Sequence, residues 1–92
     1  MNDGALRIDR WLWFARLCKS RSLAARLCED GYVRLNRIAV AKPAATVKPG
    51  DVLTLPQGTR IRVVRIVALG NRRGPPAEAR ALYEDLVASG DA

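Results

Sequence analysis

The chain has 92 residues, a formal net charge of +7 and a sequence pI near 10.5. This length allows one small domain with a modest core. The excess of lysine and arginine favours a polyanionic partner, because each phosphate that a cation neutralises releases condensed counterions. No apolar run approaches the ~20 residues of a membrane span, and the first ten residues lack the apolar core of a signal peptide. We therefore expect a cytoplasmic protein that binds nucleic acid and does not bind a membrane.

The composition gives no sign of catalysis or of a bound cofactor. The chain has no histidine, the usual general base at neutral pH, and its few serines lack an obvious activating partner. Cys18 and Cys28 fall on predicted apolar helix faces, where we expect them to act as small core side chains. A disulfide is the alternative, and a metal site is less favoured with two thiols and no histidine. We expect no enzyme activity, no cofactor and no metal.

Two amphipathic helices are predicted near the start of the chain. The first carries an apolar stripe at helical spacing, which leaves Arg10, Trp13 and Arg16 largely off the buried face. The second begins after Ser20, whose side-chain oxygen can accept a hydrogen bond from the free amides of a helix start, and it ends at Gly31. The two apolar stripes consist of Ile8, Trp11, Leu12, Ala15 and Cys18, and of Leu23, Ala24, Leu27 and Cys28.

Beyond Gly31 the pattern changes from helical spacing to short strands. Val33 and Leu35 alternate with polar neighbours, which predicts a half-buried strand. Turn residues at 48–51 and 56–59 bound a strand over residues 52–55, and the longest strand candidate covers residues 60–69. Alternation in this last segment changes phase midway, which predicts a bulge or a sharp bend near residues 63 and 64.

The last part of the chain predicts a basic loop and a closing helix. Residues 70–76 form the loop and contain Arg72 and Arg73, and Pro76 can occupy the first turn of a helix that continues to Val87. The final sixteen residues carry one basic and four acidic side chains. This acidic helix could pack on the basic part, could keep loosely bound RNA away, or could be solvated, and solvation is the default.

These elements predict an α+β fold. Two N-terminal helices would pack on a small, bent, mostly antiparallel sheet of about four strands, with a C-terminal helix added. We expect a flexible N-terminus at residues 1–6, one domain over residues 7–69, and the basic loop with the C-terminal helix over residues 70–92.

Positive charge concentrates where the two predicted helices meet. Residues 7–37 contain eight basic and three acidic side chains, and so carry five of the seven net charges. Lys19 and Arg21 flank the start of the second helix, whose free amides and positive dipole end favour an anion. The pattern therefore predicts a phosphate-binding elbow between the helices. The alternative is a solvated cationic surface, and the placement at a helix start argues against it.

The residues that suggest a family lie in two groups. The run RIDRWLWFARLCKSRSLAARLCEDGYVRLN at residues 7–36, followed by Lys42, Pro43 and VKPGDVLTL, resembles the S4 RNA-binding domain over about residues 7–55. RWLWFAR near the start and NRRGPPAEARALYEDL near the end resemble the free-standing heat shock protein 15 family, which extends the similarity over nearly the whole chain.

The resemblance implies an S4-like (alpha-L) fold and a ribosome-associated protein of the bacterial cytoplasm. It implies binding to structured ribosomal RNA of the large subunit, especially a subunit that still carries a nascent chain on its tRNA, and a role in ribosome recycling or rescue under stress. We expect the family's longer basic tail to be missing here, because the sequence closes with VASGDA. We therefore do not carry over a role for such a tail.

The resemblance also implies an RNA surface. Its residues here are Arg10, Arg16, Lys19, Ser20, Arg21 and Arg26, with Arg34, Asn36 and Lys42 around the strand turn. Relatives carry Asn-Gly at that turn, whereas this chain has Asn36 followed by Arg37; arginine is disfavoured at positive φ, so we expect another turn type or slight strain.

Several of the candidate residues have an alternative role. Lys19, Arg21 and Arg26 could simply add solubility, Arg10 and Arg16 could pair with Asp9 or with the acidic terminal helix, and Ser20 is first a helix cap. Arg72 and Arg73 could extend the cationic surface or be ordinary loop residues. Trp13 could stack on a base or pack in the core, and packing is favoured in so small a domain.

Few stacking aromatics are available, so we expect recognition of RNA shape more than of base edges. Weak nonspecific DNA binding is compatible with the charge, but the second helix offers mostly alanine where a base-reading helix would expose polar side chains. We expect a monomer. The alternative function is that of an RNA-binding accessory subunit of an RNA-modifying enzyme.

Overall fold

The structure is a computed structural model that describes residues 4–86. Two helices follow a short N-terminal strand, β1 (Leu6–Arg7): α1 (Ile8–Phe14) and α2 (Arg21–Glu29). No helix among the described residues is long and apolar enough to cross a membrane.

Local signals set the ends of α2, as predicted. Ser20 is the N-cap, and its Oγ accepts a hydrogen bond from the Leu23 amide at 3.1 Å. At the other end Gly31 has a φ of 79°, its amide donates to the Cys28 carbonyl, and the next amide donates to the Leu27 carbonyl. This pair of bonds is the Schellman motif, which satisfies the last helical carbonyls.

The remaining strands and the third helix are β2 (Arg34–Leu35), β3 (Ile38–Ala39), β4 (Thr46–Val47), β5 (Val52–Gln57), β6 (Arg60–Ile66), α3 (Pro76–Arg80) and β7 (Tyr83–Asp85). A fully antiparallel five-stranded sheet, in the order β3-β2-β5-β6-β7, lies beside the helices, and a separate two-stranded sheet pairs β1 with β4. The α+β prediction is therefore confirmed.

One hydrophobic core joins the helices to the sheet. Trp11 is fully buried, its ring lies edge-on to Tyr83 at 6.4 Å, and its indole N–H donates to the Ala68 carbonyl at 3.0 Å. Cys18 and Cys28 are buried in this core as free thiols, as predicted, and burial raises their pKa values to about 11 and about 12. Both apolar stripes predicted for the helices contribute to the core, except for Leu23, which is 38% exposed and lies outside it.

The predicted C-terminal helix is wrong in length. Helix α3 ends at Arg80, and residues 83–85 instead form β7, which pairs with residues 64–66 of β6. The Leu82 carbonyl accepts hydrogen bonds from the amides of Val67 and Ala68. Pairing with β7 satisfies backbone groups of β6 that a helix would leave free at a sheet edge. Val87, in the last part of the predicted helix, lies outside the described residues.

The predicted bulge in β6 is also wrong, and the strand ends at Ile66 rather than at residue 69. Pairing with β5 continues in one register from Val52 opposite Arg65 to Gln57 opposite Arg60. The phase change arises from Arg62, a polar residue on the same face as the buried Val64 and Ile66. Its guanidinium lies over the Tyr83 ring, 5.3 Å from the ring centre.

Candidate nucleic-acid interface

The predicted elbow is a tight turn at residues 15–20, between α1 and α2. Arg16 has a φ of 59°, and the amides of Leu17 and Cys18 both donate to the Leu12 carbonyl. This geometry turns the chain sharply, so that Lys19 is exposed immediately before α2. Because Ser20 already satisfies the Leu23 amide, an anion at this helix start would depend mainly on the neighbouring cationic side chains.

Arg21, the first residue of α2, lies next to a buried carboxylate. One of its terminal nitrogens lies 3.8 Å from Oδ2 of Asp9, whose side chain is only 5% exposed. Arg7 makes the closer contact with Asp9, through two hydrogen bonds of 3.0 and 2.9 Å. Asp9 therefore pairs with Arg7 and Arg21, and not with Arg10 or Arg16, the partners considered from the sequence.

Five of the predicted cations are exposed and make no ion pair or hydrogen bond through their side chains within residues 4–86. We call these residues the free cations: Arg10, Lys19, Arg26, Arg34 and Lys42. Arg26 lies in the last turn of α2, about 8 Å along the axis from Arg21 at 1.5 Å per residue. It therefore does not join Lys19 and Arg21 at the start of α2, and positive charge extends along the helix instead.

Arg16 and Arg73 have specific contacts inside the molecule. The Arg16 Nε donates to the Gly74 carbonyl at 2.7 Å, and the Arg73 Nε donates to the Trp13 carbonyl at 3.1 Å. The Arg73 guanidinium also lies 5.4 Å from the centre of the Trp13 ring. These contacts fasten the loop at residues 70–75 to the end of α1. Trp13 packs against the core, as favoured from the sequence, and Arg73 lies over its ring.

The structure nevertheless brings Arg16, Lys19 and Arg73 together at one open groove. The groove has a volume of about 560 Å³ and lies between the elbow, α2 and the β5–β6 turn. Its apolar lining comes from Leu17, Leu23, Leu27 and Pro56. Arg72 is not among its lining residues; it forms a bidentate pair with Glu78 at 3.0 and 2.6 Å, which raises the pKa of Arg72 and lowers that of Glu78 through hydrogen bonding.

Asn36 joins the turn of the β2–β3 hairpin to the start of β5. Its Oδ1 accepts from the Val52 amide at 2.9 Å, and its Nδ2 donates to Asp51 at 3.1 Å. Asn36 and Arg37 both have positive φ values, 51° and 77°, as a type I′ turn requires. The turn is thus of the primed type that an Asn-Gly pair suits, so the alternative of another turn type is wrong and Arg37 bears the strain. Both polar atoms of the Asn36 side chain are therefore engaged within the fold.

The carboxylate that Asn36 contacts is buried at the next turn. Burial acts to raise the pKa of Asp51, but hydrogen bonds from Asn36 and from the amide and ammonium of Lys48 hold that pKa below its ordinary value. Asn36 and Asp51 therefore form one structural unit that connects the hairpin turn to the turn before β5. The family resemblance assigned Asn36 to the RNA surface. Its structural role had no local signal, because its polar partners lie fifteen and sixteen residues away.

Comparisons with known proteins give a consistent relationship. The S4 domain family matches residues 6–53. A heat shock protein 15 homolog of Haemophilus influenzae is 37% identical over 97% of this chain and 67% of its own length, and heat shock protein 15 of Escherichia coli K12 is 40% identical over 91% of this chain and 62% of its own length. The chain thus spans about two thirds of the length of these two relatives.

Two further matches extend the comparison. The RQC P-site tRNA stabilizing factor of Halalkalibacterium halodurans is 37% identical over 86% of this chain and 88% of its own length. The solved trimeric structure of Vibrio cholerae heat shock protein 15 superposes with a TM-score of 0.87 at 37% identity, and covers 95% of this chain and 87% of that one. On the strength of both sequence and fold, the chain belongs to the heat shock protein 15 family of S4-domain proteins.

Proposed function

We propose that this protein binds structured ribosomal RNA of the large ribosomal subunit and acts in ribosome recycling or in the rescue of stalled nascent-chain complexes under stress. The observation that carries the proposal is the set of free cations on an S4 fold. Five lysine and arginine side chains are exposed there and unpaired within residues 4–86. Such side chains neutralise phosphates and release counterions.

The arrangement around α2 fits a folded RNA better than an isolated strand. Lys19 and Arg21 lie at the start of the helix, and Arg26 lies in its last turn. Cations spread over about two turns can contact phosphates that the RNA fold brings together. Trp13 is covered by Arg73, so the ring that the sequence offered for base stacking is committed to packing. Recognition of RNA shape therefore remains the favoured mode.

The relatives support the ribosomal setting. One is named a P-site tRNA stabilizing factor, and others are named heat shock protein 15. These are names of binding and stress proteins, which is consistent with the proposal of a binding protein without catalysis. The expectation of a monomer stays a prediction. The Vibrio cholerae relative is trimeric, so light scattering on this protein at assay concentration is the direct measurement.

Sedimentation with ribosomal particles at low and moderate salt tests the proposal. We expect the protein to comigrate with free large subunits in preference to intact ribosomes or small subunits. A folded K19A/R21A/R26A variant should lose most of this comigration. The matched control is R60A/R65A/R80A, which removes the same charge from residues that are exposed outside the proposed surface.

Two results would contradict the proposal. One is that the wild-type protein stays at the top of the gradient at low salt and comigrates with none of the ribosomal particles. The other is an equal loss of comigration in both triple variants, because net charge alone would then explain the binding.

A further inference from the structure

Asp9 is the buried acidic residue nearest to the proposed RNA surface. It lies in the first turn of α1, and its side chain is in contact with arginines from two different elements: Arg7 of β1, and Arg21 of α2. The side chains of these two arginines remain 45% and 40% exposed. A single buried carboxylate therefore contacts two arginines whose side chains both stay partly exposed to solvent.

The contacts differ between the two arginines. Arg7 presents Nε and one terminal nitrogen to the two Asp9 oxygens, at 3.0 and 2.9 Å, in the bidentate geometry specific to guanidinium. Arg21 approaches to 3.8 Å, and its Nε is buried with no hydrogen-bond partner among residues 4–86. The position of Arg21 is thus set by packing and by the charge of Asp9. Its own hydrogen bonds do not fix it.

We propose that Asp9 is a positioning residue for RNA binding, which holds Arg7 and Arg21 so that their exposed edges contact phosphates at the start of α2. This inference rests on the proposed function and adds Asp9 and Arg7 to it. One carboxylate between two guanidiniums leaves the cluster with a net charge of about +1, so the cluster still attracts an anion. The ordering of both side chains is completed before the RNA arrives, which reduces the entropy lost on binding.

The proposal and long-range electrostatics predict changes of opposite sign in RNA affinity when Asp9 is replaced. Asp9→Asn removes a negative charge and raises the formal net charge of the chain by one. Long-range attraction alone would then tighten RNA binding. If Asp9 acts by holding two arginines, the same substitution releases them and weakens binding.

The experiment compares two substitutions that change the net charge equally. The dissociation constant of D9N for isolated large-subunit ribosomal RNA should rise about twofold to tenfold, the range expected for coupling between contacting residues. Asp30 is exposed at the end of α2, so D30N is the control and should bind as the wild type or slightly tighter. Circular dichroism at the assay temperature establishes that both variants are folded.

A second variant keeps the test decisive if D9N does not fold. Arg7→Lys conserves the charge at a side chain that is 45% exposed. A lysine at this position cannot form the bidentate contact with Asp9. R7K should weaken RNA binding by at least about twofold. R80K is the control, because Arg80 is an exposed arginine of α3, and it should leave RNA binding unchanged. If D9N folds, R7K should have little further effect in that background, because the interaction between the two side chains is already weakened.

The outcomes separate this inference from the proposed function. If K19A/R21A/R26A binds RNA as the wild type does, the RNA surface itself is wrong. If that triple variant binds weakly while D9N and R7K match or exceed their controls, the surface stands and the positioning role of Asp9 is overturned.

Discussion

Basic side chains have different roles in the elbow region and in the C-terminal segment. Around α2, Lys19 and Arg26 are exposed and unpaired among the described residues, and Arg21 is held only at 3.8 Å from a carboxylate. In the C-terminal half, Arg62 and Arg72 form bidentate pairs with Asp85 and Glu78. The placement of acidic residues and of carbonyl groups decides which cations are available, so a count of basic residues overstates the binding surface.

Trp11 connects these two regions, and its removal should have the largest effect. It is fully buried, contacts Tyr83 of β7 and donates to the Ala68 carbonyl. We expect Trp11→Ala to lower the free energy of unfolding by about 3 to 5 kcal/mol, measured by urea denaturation. Trp11→Phe retains part of the packing and should cost less. A decrease below about 1 kcal/mol in W11A would show that the two regions are not joined through this core.

Asp51, in the turn between the two regions, should make the stability of the fold depend on acid pH. Its pKa is lowered in the fold, so its stabilising effect is present above the ordinary value of 3.8 and is lost as pH falls through the lower folded value. The melting temperature of the wild type should therefore fall between about pH 5 and about pH 2. The melting temperature of the Asp51→Asn variant should be lower than that of the wild type at neutral pH and should depend less on pH. Parallel curves for the two proteins would contradict this assignment.

The type I′ turn gives the smallest predicted effect. Arg37→Gly removes the strain of an arginine at a φ of 77°, and we expect a gain of roughly 0.5 to 1 kcal/mol, reduced by the greater freedom of glycine in the unfolded chain. Asn36→Gly is the matched comparison. It should destabilise, because the Asn36 side chain makes two hydrogen bonds. Chemical denaturation measures the free energy of unfolding of both variants. A change of the same sign in the two variants would contradict the account.

Much of the N-terminal half was predictable because its signals are local. The Ser20 cap, the Gly31 stop and the apolar stripe of α1 each involve residues within one or two turns of one another. The end of the chain was not predictable in the same way. Leu82 and Tyr83 fit both helical and strand patterns, and only the exposed edge of β6, far away in sequence, selects the strand.

The candidate site shows the same division. Positive charge around the start of α2 was evident from the sequence, whereas the partners of Arg16 and Arg73 lie 58 and 60 residues away. Pairing of Asp9 with Arg7, two residues away, had a local signal that sequence reasoning missed. The interaction with Arg21 depends on how α1 packs against α2, which no local pattern specifies.

The salt dependence of RNA binding tests the central claim most directly. For large-subunit ribosomal RNA, K19A/R21A/R26A should lower the slope of log affinity against log salt by about two to three, near 0.7 to 0.9 for each phosphate that is no longer neutralised. R62A/R65A/R72A removes the same charge from arginines that lie 2.9, 3.6 and 2.6 Å from carboxylate oxygens, and should leave the slope nearly unchanged. An unchanged slope in the first folded variant, or an equal decrease in both, would contradict the account.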